Sequence, residues 1–267
     1  MPNISPFLII IFYVVAISNL ILSNKRSNQL LYSSLYWMTF CMGMALHFLH
    51  AAETSYIDHS FNFSVASMSV WVSVLVSSAF AIGSLIYPIK NLAIIVLPIS
   101  ALCILFAHLW GDNTLLIDGR SNLFYWHIAI AISAFTLLAL SVMQAILFGY
   151  QELALRKRVN NLLLAWLPPL QTMESVLFRC IIAGFILLSI AISLGAIHNI
   201  ELNQSVFSFN HHTVLAIISW LGFAIILYGR LKLGWRGMQV ILWTLGAFSF
   251  LLLGYFGTKI VNEILKY

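Results

Sequence analysis

Imidazole is the side chain in this sequence best suited to hold a metal, and its distribution is uneven. The chain has eight histidines. His47 and His50 close the second long apolar run, and His59 follows it. His108 closes the fourth run, His127 opens the fifth, His198 closes the sixth, and His211 and His212 open the seventh. A polar ring at the edge of an apolar bundle is costly to place, and a cluster at one depth points to ligation.

The elements that must carry these rings are membrane spans. Of the 267 residues, 61% are hydrophobic and 8% charged, too apolar for a soluble domain. Eight runs are long enough to cross ~30 Å of hydrocarbon at ~1.5 Å per residue. They lie near 6–22, 30–49, 64–87, 92–110, 123–150, 176–197, 213–228 and 238–258. The expected fold is an all-α, polytopic bundle forming a single membrane domain over 1–267. The first run lacks a basic leader and a small-residue cleavage site, so it reads as a retained helix. Cys41, Cys103 and Cys180 stand singly, without disulfide or metal spacing, and read as packing residues.

Lysine and arginine set the expected orientation. Lys25, Arg26, Lys90, Arg156, Lys157, Arg158, Arg179, Arg230, Lys232 and Arg236 fall on one side, against Arg120, Lys259 and Lys266 on the other. Six of the eight acidic residues share the second side. Both termini are therefore expected outside the cytoplasm, and every histidine at the outer boundary. The net charge of +5 is then a topology signal that touches the lipid bilayer, not a nucleic-acid footprint.

His108 and His198 have a plain alternative explanation, since cations are favoured at helix C-termini. His127 and His211 differ, each standing at the start of a helix that enters from the outer side. Asn210 can cap the seventh helix. Trp110, Tyr125, Trp126, Phe207 and Phe209 surround these positions in sequence. Two imidazoles across an aromatic-walled pocket would suit a bis-histidine haem iron, with His127 and His211 as ligands. His47 and His50 share a helix face and could supply a third ligand or a neighbouring site. Zinc competes for clustered histidine, and the aromatic residues have a second reading as a membrane-boundary belt.

The segment His212-Thr213-Val214-Leu215-Ala216-Ile217-Ile218-Ser219-Trp220-Leu221 and the turn Tyr228-Gly229-Arg230-Leu231-Lys232-Leu233-Gly234-Trp235-Arg236-Gly237 resemble the cytochrome c assembly membrane proteins. Gly254-Tyr255-Phe256-Gly257 continues the likeness. Leu167-Pro168-Pro169-Leu170-Gln171-Thr172-Met173-Glu174 and the helix at His127 look like the family's small eight-helix, YpjD-like branch. The resemblance implies haem handling at the outer face, with His127 in the place of an external ligand. Phe207-Ser208-Phe209-Asn210 stands where the family carries Trp-x-Trp-Asp. Two histidines of the cytochrome-synthesis members are missing, because Gly257-Thr258-Lys259-Ile260 and Leu227-Tyr228-Gly229-Arg230 contain none. His211 or His198 would then partner His127.

The resulting expectation is a haem-binding protein of a bacterial inner membrane that presents or exports haem at the outer face. Its partners would be other cytochrome c maturation proteins and an apocytochrome, with covalent attachment on another protein. No phosphate-binding glycine loop marks a nucleotide-driven enzyme. A permease-like transport subunit and a cofactor-free membrane partner are the alternatives. The loop from Tyr150 to Ser175 breaks at Pro168-Pro169 and restarts near Thr172, and reads as an interfacial stretch. Arg230, Lys232 and Arg236 read as anchors of the Gly234–Gly237 turn.

Overall fold

Long apolar stretches without water to bind their backbone must close their hydrogen bonds internally, so helices dominate. A computed structural model describes residues 5–25, 29–57, 60–110, 116–117, 121–158, 164, 166–201 and 211–257. Phe207, Phe209, Asn210 and His59 lie outside the described residues. Among the described residues there are eight long helices: α1 Pro6–Lys25, α2 Gln29–Ser55, α3 Val65–Ile86, α4 Ala93–Trp110, α5 Asn122–Arg156, α6 Leu170–Glu201, α7 His211–Leu233 and α8 Met238–Leu252. Seven are long and apolar enough to cross a membrane. The exception is α2, whose Tyr32, Ser33, Ser34, Tyr36, Trp37, His47 and His50 dilute its apolar character.

The spans are helical where expected, but several helices run further than hydropathy indicates. α5 continues to Arg156, α6 begins at Leu170 rather than 176, and α7 ends at Leu233 rather than 228. The extra turns carry charges that pair with one another, so they need no hydrocarbon around them. α8 stops earlier, at Leu252, and passes into a wider π turn over Leu253–Gly257. Helix starts are marked by hydroxyl caps: Ser64 accepts from Ser67 N ahead of α3, and Ser121 from Phe124 N ahead of α5.

The chain packs as two compact units, Met1–Asp118 and Gly119–Tyr267. In the first, α1 packs on α2, α2 on α3, α3 on α4 and α4 back on α1. The side chains of Asn24 and Asn91 bond at 3.1 Å at one end, and the rings of Phe7 and His108 meet at 5.5 Å at the other. These contacts make α1 and α4 antiparallel. The unit also holds a small antiparallel sheet, β1 Tyr56–Ile57, β2 Ser60–Asn62 and β3 Leu116–Ile117, in the order β1-β2-β3. Tyr56 pairs with Phe61 and Phe61 with Ile117. Strands this short leave no alternation to read, and the sequence gives no hint of them.

The second unit repeats the plan. α5 packs most extensively on α6, α6 on α7, α7 on α8, and α8 returns to α5. Small residues let backbones approach: a Cβ on Gly184 would come within 2.7 Å of Leu138, and one on Gly222 within 2.8 Å of Ala247. Phe135 of α5 meets Phe248, Tyr255 and Phe256 of the closing helix and its π turn, at 5.1, 5.5 and 5.7 Å.

Candidate functional site

The second unit has a histidine end and an arginine end. At the histidine end, His127 sits in the second turn of α5 and turns toward α6. Its Nδ1 lies 2.8 Å from the carbonyl oxygen of Ala191. A carbonyl can only accept, so Nδ1 carries the proton and the neutral ring keeps a bare lone pair on Nε2. The ring lies against Gly195, where a Cβ would stand 3.0 Å from its Cε1. A hydrogen bond from Nδ1–H to a backbone carbonyl is the usual way an imidazole is oriented for ligation through Nε2.

His198 lies one turn beyond Gly195 on the same face of α6. Its ring packs on Phe124 at 5.4 Å. Its Nδ1 is 3.4 Å from Ser121 Oγ and 3.9 Å from a Glu201 carboxylate oxygen. Both contacts fall on Nδ1, as in His127.

His211 is the first residue of α7 and is exposed. Trp220 Nε1 donates to Ser189 Oγ at 2.8 Å, which sets α7 against α6. Counting back nine residues brings His211 level with residue 198, ~5 Å beyond the level of His127 at ~1.5 Å per residue. His211 shares its helix face with Gly222, which packs on Ala247 of α8, whereas His212 shares the face of the buried Ser219 and Phe223. Trp126 is 65% exposed. Among the described residues, no three His, Cys, Asp or Glu side chains gather closely enough to hold a bare metal ion.

His47 belongs to the first unit and has a different environment. It is fully buried, with Nδ1 2.9 Å from the Tyr13 hydroxyl and Nε2 3.0 Å from Ser73 Oγ. Ser73 also donates to the Val70 carbonyl at 2.9 Å, so it accepts from Nε2–H while Tyr13 donates to Nδ1. Ligation by this ring would require one of those bonds to break. Ser77 and Ser100 bond at 2.8 Å alongside, extending the buried hydroxyl string.

At the arginine end, Arg230 Nη1 reaches Glu174 Oε1 at 2.7 Å and the Trp235 carbonyl at 3.2 Å. Its guanidinium also lies 4.4 Å from the centre of the Phe178 ring. Arg236 approaches the same carboxylate at 3.6 Å. The Trp235 ring packs against Gly229, where no side chain fits, and Gly234 and Gly237 take positive φ of 67° and 60°. Arg230 and Arg236 therefore do more than anchor a loop: they fasten the α7–α8 turn to the start of α6. The sequence presents this Glu174 only as helix-start chemistry.

The model of the cytochrome C assembly protein family matches residues 1–266. The chain belongs to that family. It is 26% identical over 145 residues to the inner membrane protein YpjD of Escherichia coli K12, a match covering 52% of each chain. The matched stretch thus spans about half of the YpjD sequence. The cytochrome c biogenesis protein CcsA of Prochlorococcus marinus NATL2A is 24% identical over 271 residues, 94% of this chain and 82% of that one. The CcsA protein of Picosynechococcus PCC 7002 is 33% identical over 92 residues, 34% of this chain and 27% of its own. No solved structure matches. In this member of the family, the Gly-Trp-Arg-Gly turn is the arginine-end clasp, and Gly254-Tyr255-Phe256-Gly257 is the π turn. There, Gly254 lies against Leu215 and the His212 carbonyl.

Proposed function

We propose that this protein binds haem at the histidine end of its second unit and presents it there for cytochrome c maturation. The observation that carries this reading is His127: a half-buried imidazole whose Nδ1–H is tied to Ala191 and whose Nε2 keeps its lone pair. That donor suits an axial haem ligand, and family membership supplies the reason to expect haem. The second axial ligand comes from the same end. His211 is the partner expected from the sequence, and His198, held through Nδ1 by Ser121, is the alternative. Bound haem would supply an iron-porphyrin for delivery. The chain supplies ligands, a fixed ring orientation and the surrounding apolar wall. In this reading the protein resides in a bacterial inner membrane, with the histidine end outward, and its partners are other maturation proteins and an apocytochrome.

An optical spectrum of the detergent-purified protein, oxidised and reduced, tests the proposal. A Soret band that shifts on reduction and disappears in His127→Ala supports it. Pairing His127→Ala with His211→Ala or His198→Ala and titrating haemin then names the second ligand. A colourless protein that takes up no added haemin ends the haem reading.

A permease-like role has one observation in its favour, the buried string Tyr13, His47, Ser73, Ser77 and Ser100 inside the first unit. Polar groups in a span often mark a path. Here His47 spends both nitrogens on Tyr13 and Ser73, and the Ser77 and Ser100 hydroxyls bond each other, which favours packing over passage.

A further inference from the structure

The part of α6 directly against the His127 ring is Ala191 and Gly195, neither of which has a reactive side chain, yet it decides which imidazole nitrogen is available. In a helix the Ala191 carbonyl already accepts from the amide of residue 195. His127 can share that acceptor only if its ring reaches the helix backbone, and residue 195 is the position that would block it. A Cβ at Gly195 would come 3.0 Å from Cε1 and 3.3 Å from Nδ1 of His127. Those distances are tighter than ordinary carbon contact, so the ring would have to retreat from the carbonyl.

We infer that Ala191 and Gly195 form a positioning seat that locks His127 in the Nδ1–H tautomer and commits Nε2 to ligation. This deepens the haem proposal and rests on it for the identity of the ligand. Without the seat, a ring protonated at Nε2 would offer only Nδ1, which faces the α6 backbone. Gly195 is thus a positioning residue. It touches no haem, and its effect passes entirely through His127. Groups that orient a ligating imidazole through a hydrogen bond commonly change affinity by ~10- to ~100-fold when lost.

The test uses the full chain in lipid bilayers, labelled with 15N-histidine and compared by solid-state NMR with His127→Asn, Gly195→Ala and Gly195→Val. Asparagine keeps an N–H for the Ala191 carbonyl but has no Nε2, so it holds the fold and removes the ligand. The His127 signals, identified by their loss in His127→Asn, are expected to show a protonated Nδ1 and a bare Nε2. Gly195→Ala, which demands a shift of a few tenths of an ångström, is expected to mix the tautomers partially. Gly195→Val is expected to mix them fully and to weaken haemin binding by ~10- to ~100-fold, with an altered low-spin spectrum. An Nε2–H ring in the wild type overturns the inference, and so does a Gly195→Val protein with unchanged tautomer and haemin affinity. The wild-type tautomer decides the matter even if Gly195→Val fails to fold. A correct tautomer that Gly195→Val disturbs, with no haemin uptake by any form, sustains the seat and removes the haem reading instead.

Discussion

Each four-helix unit sets a ring from its first helix against a glycine of its second, and the two outcomes differ. In the first unit Tyr13 lies on Gly43, with 3.0 Å to a Cβ placed there, and bonds His47 four residues further along α2. In the second, His127 lies on Gly195 and bonds Ala191, four residues before that glycine. The same interhelical slot therefore holds a phenol that completes a closed hydrogen-bond chain in one unit. In the other it holds an imidazole with one nitrogen spent and one in reserve. Chemical availability, not the presence of histidine, separates a packing node from a candidate ligand.

The comparison breaks most directly if haem depends on both histidines. His127→Ala is expected to abolish the haem spectrum outright. His47→Ala is expected to leave haem content unchanged, read by pyridine haemochrome assay. It should lower stability by ~2–4 kcal/mol, because a buried ring and two hydrogen bonds are lost together. Loss of haem in His47→Ala at intact fold would erase the distinction between the units. Next in size, Arg230→Ala should cost ~1–2 kcal/mol in detergent unfolding, a partly buried ion pair discounted for its exposure. Its haem spectrum should be retained, since the clasp lies at the opposite end from His127. Tyr13→Phe keeps the ring on Gly43 and removes only the hydroxyl, so a loss of ~0.6 kcal/mol is expected. Trp126→Phe, on the exposed face, should leave spectrum and stability unaltered. A lost Soret band there would return Trp126 to the pocket wall.

The order of the helices is legible in the sequence because each apolar run marks one helix, seven of them long and apolar enough to cross a bilayer. The ends are less so. Hydropathy reads where hydrocarbon stops, while α5 and α6 continue through turns stabilised by Arg156–Glu152 at 2.7 Å and Glu174–Arg230 at 2.7 Å. His127 is recognisable as a candidate from its place at a helix start. Its seat is not, since Ala191 and Gly195 are ordinary residues of an apolar helix; only an isolated glycine inside a helical run hints at close approach. His47 presents the opposite difficulty. Its spacing with His50 suggests a ligand face, but its partners Tyr13 and Ser73 come from other runs, 34 and 26 residues away in sequence.

The length of the α5–α6 pair has one more consequence. At 35 and 32 residues these helices extend ~50 Å, well beyond ~30 Å of hydrocarbon, so in a bilayer they must tilt or emerge. A change in bilayer thickness alters that tilt. His127, Ala191 and Gly195 all ride on this one tightly packed pair, so they turn together and the ring keeps its orientation. His211 rides on α7, whose interface with α6 is the sparsest of the four in its unit. If His127 and His211 ligate haem as proposed, thinner or thicker lipid should therefore move one imidazole relative to the other and change how well the two could share one iron.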